Sequence, residues 1–178
     1  MWHKLRQQIL ELPEATADSL KRLNYFQCVI NETLRLNPPI SNMTRIALRD
    51  TVLPTGGGLK GDAPVFVSKG TIVASNFAKL HRNKDVYGED VDLWLPERWE
   101  TLKKSGLGWK FMPFGGGAHS CPGQQLALNR ALLTVARLLK TFDKIENRDS
   151  VQEFVPVYKL VTASQNGAKV ALFTSMLR

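Results

Sequence analysis

Residues 114–123 read Phe114-Gly115-Gly116-Gly117-Ala118-His119-Ser120-Cys121-Pro122-Gly123, which sets one cysteine at the end of a glycine-rich loop. Three consecutive glycines reach backbone conformations closed to other residues and let a chain lie flat against a large planar partner. The second cysteine, Cys28, is too distant in sequence to form a zinc knuckle or a short redox motif with it. The chemistry open to Cys121 is that of a single thiolate, either a nucleophile or one axial ligand to a metal. Two further groups carry charge at short spacing: Glu32-Thr33-Leu34-Arg35 and Pro96-Glu97-Arg98-Trp99. Glu32 and Arg35 stand i, i+3, close enough to pair on a helix. Such a pair alone says little, because exposed helices hold many and most are weak.

The elements that must position these residues follow from periodicity. Leu5, Ile9 and Leu10 recur at helical spacing over residues 2–11, and Pro13 ends that segment. Asn24 with Gln27 predicts a capping box. It opens a helix over about 24–37 whose apolar stripe is Phe26, Val29, Ile30, Thr33 and Leu34. Asn37-Pro38-Pro39 stops it, since the residue before a proline is pushed out of the α region. Short β-prone runs at 51–54, 64–67 and 70–73 predict one small antiparallel sheet over about 44–75. Residues 76–86 suit one further helix. From 90 to 113 Trp94, Pro96, Trp99, Trp109 and Pro113 mark a long irregular segment, the tryptophans serving as core anchors. After the cysteine loop comes an apolar helix over about 123–141, with a polar stripe of Arg130, Thr134, Arg137 and Thr141. Residues 154–157 and 169–173 read as strands around a turn at Asn166-Gly167. The fold class expected is mainly α with small β-sheets, α+β.

Composition excludes several classes. The chain has 178 residues and a formal net charge of +8. The basic residues are scattered, not blocked or interleaved with aromatics, so no nucleic-acid interface is expected. Two cysteines do not make a disulfide-stapled secreted protein, which favours a reducing compartment. No apolar run is long enough to span a bilayer. The N-terminus begins inside an amphipathic pattern without a signal peptide, as a truncated domain would. Gly56-Gly57-Gly58 is not a phosphate loop, because no Lys-Ser/Thr follows. Cys28 reads as helix packing or a silent surface thiol, and His3 and His81 as surface residues.

Taken together and in this order, the three groups resemble the cytochrome P450 family of heme-thiolate monooxygenases, in its C-terminal part, over essentially the whole chain. The resemblance implies heme b as cofactor, with Cys121 as the proximal ligand of the heme iron and the catalytic thiolate. It also implies that Phe114, Gly115, Gly117, His119 and Gly123 surround the cofactor, and that Arg45 and His119 reach its propionates. His119 stands where arginine is usual. Glu32, Arg35 and Arg98 match the family's buried triad, which latches the irregular segment to the helix. The run 53–58, with 64–67 and Lys69-Gly70-Thr71, looks like fungal alkane and fatty-acid hydroxylases.

The reaction so implied inserts one oxygen atom of O₂ into a small lipophilic substrate. Its electrons come from NADPH through a reductase, with cytochrome b5 as a further donor. Lys103, Lys104, Lys110 and Arg130 are candidates for docking the acidic flavoprotein. Segments near Ile40-Ser41-Asn42-Met43 and Leu160-Val161-Thr162 would form what this chain holds of the substrate pocket. Family members of this type are anchored in the endoplasmic reticulum facing the cytosol, and the anchor is not expected in these residues. Nor are the long helix with an acid–threonine pair and most of the distal wall. The chain is therefore expected to be one partial domain, residues 1–178, truncated on its N-terminal side. Two functions fit: a fragment of a monooxygenase, or a non-catalytic remnant that at most binds heme.

Overall fold

A computed structural model describes residues 1–151, 153–159 and 161–174, and for 103–105 the backbone alone. Helix α1 (Trp2–Leu10) is followed by α2 (Ala17–Arg22), which the apolar pattern does not announce, and by α3 (Asn24–Leu36). The expected Asn24 capping box is absent. Leu23 is the extended N-cap, without a side-chain bond, because α2 ends one residue earlier and leaves no room for a lead-in. The capping box is instead formed by Thr16 and Ser19 at the start of α2.

Helix α3 is buried on two faces. Phe26, Val29 and Ile30 join Leu5, Ile9, Leu20 and, from α7 (Gln124–Thr141), Leu132, Ala136 and Leu139 in the core. Tyr25 belongs to the same core and donates its hydroxyl to Glu97, and Cys28 is buried as well, whereas buried Glu32 and Arg35 face the segment that precedes the cysteine loop.

The sheet predicted over 44–75 is two separate hairpin-like pairs. Strand β1 (Asn42–Ile46) pairs antiparallel with β4 (Ile72–Asn76), and between them β2 (Thr51–Gly57) pairs with β3 (Ala63–Val67). At the bulged end of β2 a side chain at Gly57 would sit 2.7 Å from the Pro64 carbonyl, so only glycine fits there. The helix expected over 76–86 is split into α4 (Phe77–Leu80) and α5 (Lys84–Tyr87). Each piece has its own asparagine cap: Asn76 accepts from the Lys79 amide and Asn83 from the Asp85 amide. A second N-cap inside the run ends the first helix.

The segment 90–113 is less irregular than expected, since it holds α6 (Arg98–Ser105) and a 3-10 turn at Gly108–Lys110. Asn166-Gly167 does turn the chain, with Gly167 at φ +71°. It does not join a hairpin, however. Strand β6 (Pro156–Tyr158) pairs with β7 (Thr162–Ser164), whereas β8 (Val170–Phe173) pairs with β5 (Lys144–Asn147), directly after α7. Local alternation identifies a strand but not its partner. The architecture is thus mainly helical with small antiparallel sheets, and among the described residues no helix is long and apolar enough to cross a membrane.

Candidate heme-thiolate site

The charged triad assembles as a closed network. Arg35 Nε and Nη2 donate to the two oxygens of Glu32 at 2.8 and 2.9 Å, and Arg98 Nε donates to Glu32 Oε1 at 2.9 Å. The remaining Arg35 donors reach the carbonyls of His81, Val91 and Leu93. Those of Arg98 reach the Tyr87, Asp90 and Leu93 carbonyls and Asp90 Oδ1. Each guanidinium therefore uses all five of its donors. Glu32 also accepts from the Leu95 amide and from Trp99 Nε1, both at 2.9 Å.

Glu32 and Arg35 are both 0 % exposed. Ions so deep are tolerable only when their partners are complete, which this set achieves with two carboxylates against two guanidinium groups. Burial pushes the Glu32 carboxyl up, but the bonds from Arg35, the Leu95 amide and Trp99 outweigh it and hold the group below its ordinary value. Burial disfavours charge on Arg98 too, and the bonds to Asp90 and Glu32 reverse that and raise its value.

Residues the sequence placed elsewhere join this region. His81 is fully buried, not at the surface as expected. Its Nε2 accepts from the Met112 amide at 2.9 Å, and its ring lies between Phe77 and Phe111. Trp99, 2 % exposed, is a core anchor and meets Phe111 edge-on at 4.5 Å, but Trp109 is 68 % exposed and lies over the glycine loop. The signal for Trp99 was its place directly after Arg98. His81 left none, because a lone histidine beside Arg82 reads as solvated.

Burial drives the His81 imidazole down to about 4 from an ordinary 6.5. The folded chain thus binds fewer protons there than the unfolded chain between those values. Stability is accordingly expected to fall as pH drops from about 6.5 toward 4, before the Glu32 contribution is lost at still lower pH. Urea midpoints measured across that window check this, and His81→Phe should flatten the slope.

The cysteine loop sits on this platform. The Cys121 amide donates to the Phe114 carbonyl at 2.9 Å, and the Gly115 amide donates to the Met112 carbonyl at 3.1 Å. Gly115 and Gly117 have φ of +76° and +67°, the left-handed region that favours glycine. A side chain at Gly115 would also press on Met43 Cε at 3.1 Å, and one at Gly116 would strike the Trp109 ring at 2.3 Å. Gly123, the N-cap residue of α7 at φ −84°, needs no such freedom and borders the Cys121 sulfur. His119 and Cys121 are exposed on the same loop. Arg45 is exposed two residues along β1 from Met43, with Nη1 on the Thr44 carbonyl.

Near the expected pocket segments, the Thr162 amide donates to the Pro39 carbonyl and the Ser41 and Thr162 hydroxyls lie 2.9 Å apart. Val161 and Thr162 therefore adjoin 39–41, whereas Leu160 lies outside the described residues. The side chains of Lys103 and Lys104 lie outside them too, whereas Lys110 and Arg130 are exposed.

Among the described residues no three His, Cys, Asp or Glu side chains converge. A metal at Cys121 would therefore bring its other ligands with it, as a porphyrin iron does. A lone exposed thiol beside bare glycine backbone fits such a group.

The buried Glu32–Arg35–Arg98 network thus reaches, through His81, the segment that leads into an exposed thiol loop. The cytochrome P450 family model matches residues 3–168, and the chain belongs to the cytochrome P450 family. It is 43% identical, over 97% of its length, to cytochrome P450 monooxygenase himC of Aspergillus japonicus, and covers 31% of that protein. It is 43% identical over 84% of its length to cytochrome P450 monooxygenase FPY7 of Fusarium mangiferae, covering 29% of it. To cytochrome P450 52A3-A of Candida maltosa it is 39% identical over 93% of its length, covering 33%. The chain thus spans about a third of the length of these relatives.

Proposed function

We propose that this chain is the C-terminal, heme-binding part of a monooxygenase of lipophilic substrates such as fatty acids or alkanes. The observation that carries the reading is the exposed Cys121 thiol, set on bare glycine backbone and tied through Phe114 to the segment that the Glu32–Arg35–Arg98 network holds. In this reading Cys121 binds the heme iron, and Phe114, Gly115, Gly117 and Gly123 leave room for the macrocycle. Arg45 and His119 reach its propionates. A bound heme supplies oxygen activation, and a thiolate ligand donates electron density that favours O–O cleavage. The protein's share is to hold the sulfur rigidly, with the N-terminus of α7 directly behind it favouring negative charge.

Electrons would come from NADPH through a reductase, with cytochrome b5 as an alternative donor. Exposed Lys110 and Arg130 suit an acidic partner. The pocket floor contributed here is the junction of 39–41 with 161–162. The boundaries expected for one partial domain over 1–178, and an endoplasmic-reticulum setting facing the cytosol, belong to the same proposal.

The test is spectroscopic. The chain is expressed with heme, reduced and exposed to carbon monoxide, and the same is done with Cys121→Ala. A red-shifted, thiolate-type Soret band that is lost in the variant is the expected outcome. Heme uptake by neither protein, or an identical spectrum from both, would overturn the assignment.

A further inference from the structure

Three consecutive residues ahead of the cysteine loop are held from below. The Lys110 carbonyl accepts from buried Tyr87 Oη at 2.9 Å, the Phe111 ring packs on Trp99 and His81, and the Met112 amide donates to His81 Nε2. The His81 carbonyl in turn accepts from Arg35 Nη1 at 3.0 Å. One histidine therefore touches the charge network with its backbone and the loop segment with its ring.

The arrangement is costly in one respect. Nε2 is the acceptor, so the proton of the neutral ring sits on Nδ1, which is buried and finds no acceptor among the described residues. An apolar residue would avoid that cost but would leave the Met112 amide without a partner.

We propose that His81 is a positioning residue for the thiolate: Nε2 fixes Met112, and through it the register of the loop that presents Cys121. The relay is contiguous. Met112 N–H is held by His81, the Met112 carbonyl accepts from the Gly115 amide, and the Phe114 carbonyl accepts from the Cys121 amide. The ring alone would supply packing, whereas the acceptor supplies direction. The inference rests on the reading of Cys121 as the iron ligand, but its test does not require heme.

The experiment compares wild type, His81→Phe, which keeps an aromatic ring without the acceptor, and His81→Gln, whose amide oxygen can take the place of Nε2. Amide hydrogen exchange at Met112 and Cys121 is measured in the full chain. So is the rate at which Cys121 reacts with an aromatic disulfide, Cys28 being buried in the folded state. In folded His81→Phe both amides should exchange about tenfold faster or more, with Cys121 reactivity changed, and His81→Gln should restore both. Unchanged exchange at Cys121 in folded His81→Phe would overturn the proposal, as would His81→Gln resembling His81→Phe. Should His81→Phe not fold, nitrogen–nitrogen scalar coupling across the Met112 N–H···Nε2 bond in labelled wild type decides. Its presence supports the positioning role and its absence in a folded chain refutes it. With heme added, a broadened Soret band in His81→Phe, sharpened again in His81→Gln, reports the same effect at the ligand. Wild type that takes up no heme would sink the functional reading while leaving the exchange result intact.

Discussion

Glu32→Gln is expected to remove about 3–5 kcal/mol of stability, a large share of the roughly 5–15 kcal/mol that holds a domain together. The substitution keeps the shape and deletes a charge. Arg35 and Arg98 then face one carboxylate, Asp90, which Arg98 alone touches. The new amide must also aim a donor at one of the groups that now donate to Glu32: Arg35 Nε and Trp99 Nε1 on one oxygen, Arg35 Nη2, the Leu95 amide and Arg98 Nε on the other. Neither orientation of a glutamine satisfies both sets. Urea unfolding followed by circular dichroism measures the loss. Glu89→Gln is the control, because its pair with Lys84 is solvent-exposed and should contribute almost nothing. A loss below about 1 kcal/mol for Glu32→Gln would mean that the network is not formed as described.

Trp99→Ala is expected to cost about 3–5 kcal/mol, by cavity formation together with a lost bond to a buried carboxylate. The two parts separate. Trp99→Phe keeps most of the ring against Phe111 and removes only the Nε1 donor, so it should cost about 1–3 kcal/mol. The larger variant should also loosen Phe111 and Met112 and so weaken cofactor uptake more than its stability loss alone explains. Heme titration of both variants under strongly folding conditions checks this. Equal uptake by Trp99→Ala and Trp99→Phe would show that Phe111 does not transmit the effect.

The helix carrying Glu32 and Arg35 was legible because its apolar stripe and its proline stop are local signals. The cysteine loop was legible because glycines, one thiol and a following apolar helix are adjacent in the chain. His81 was not, since nothing near it in sequence indicates that Phe77, Phe111 and the Met112 amide close around it. The two tail sheets were missed for the same reason: β8 pairs with β5 across the whole of β6 and β7. The split of α4 from α5 was a missed local signal, since Asn83 is a cap that could have been read.

Residue types and short spacings sufficed for the thiol loop, the Glu-x-x-Arg helix and the mainly helical class, because those depend on covalent neighbours and on a helical period. Which groups are buried, which strands pair and what each arginine donor reaches depend on contacts between distant segments. Glu32 shows the difference. As sequence it is half of an ordinary i, i+3 pair, and in the folded chain it accepts from α3, α6 and the Leu95 backbone at once.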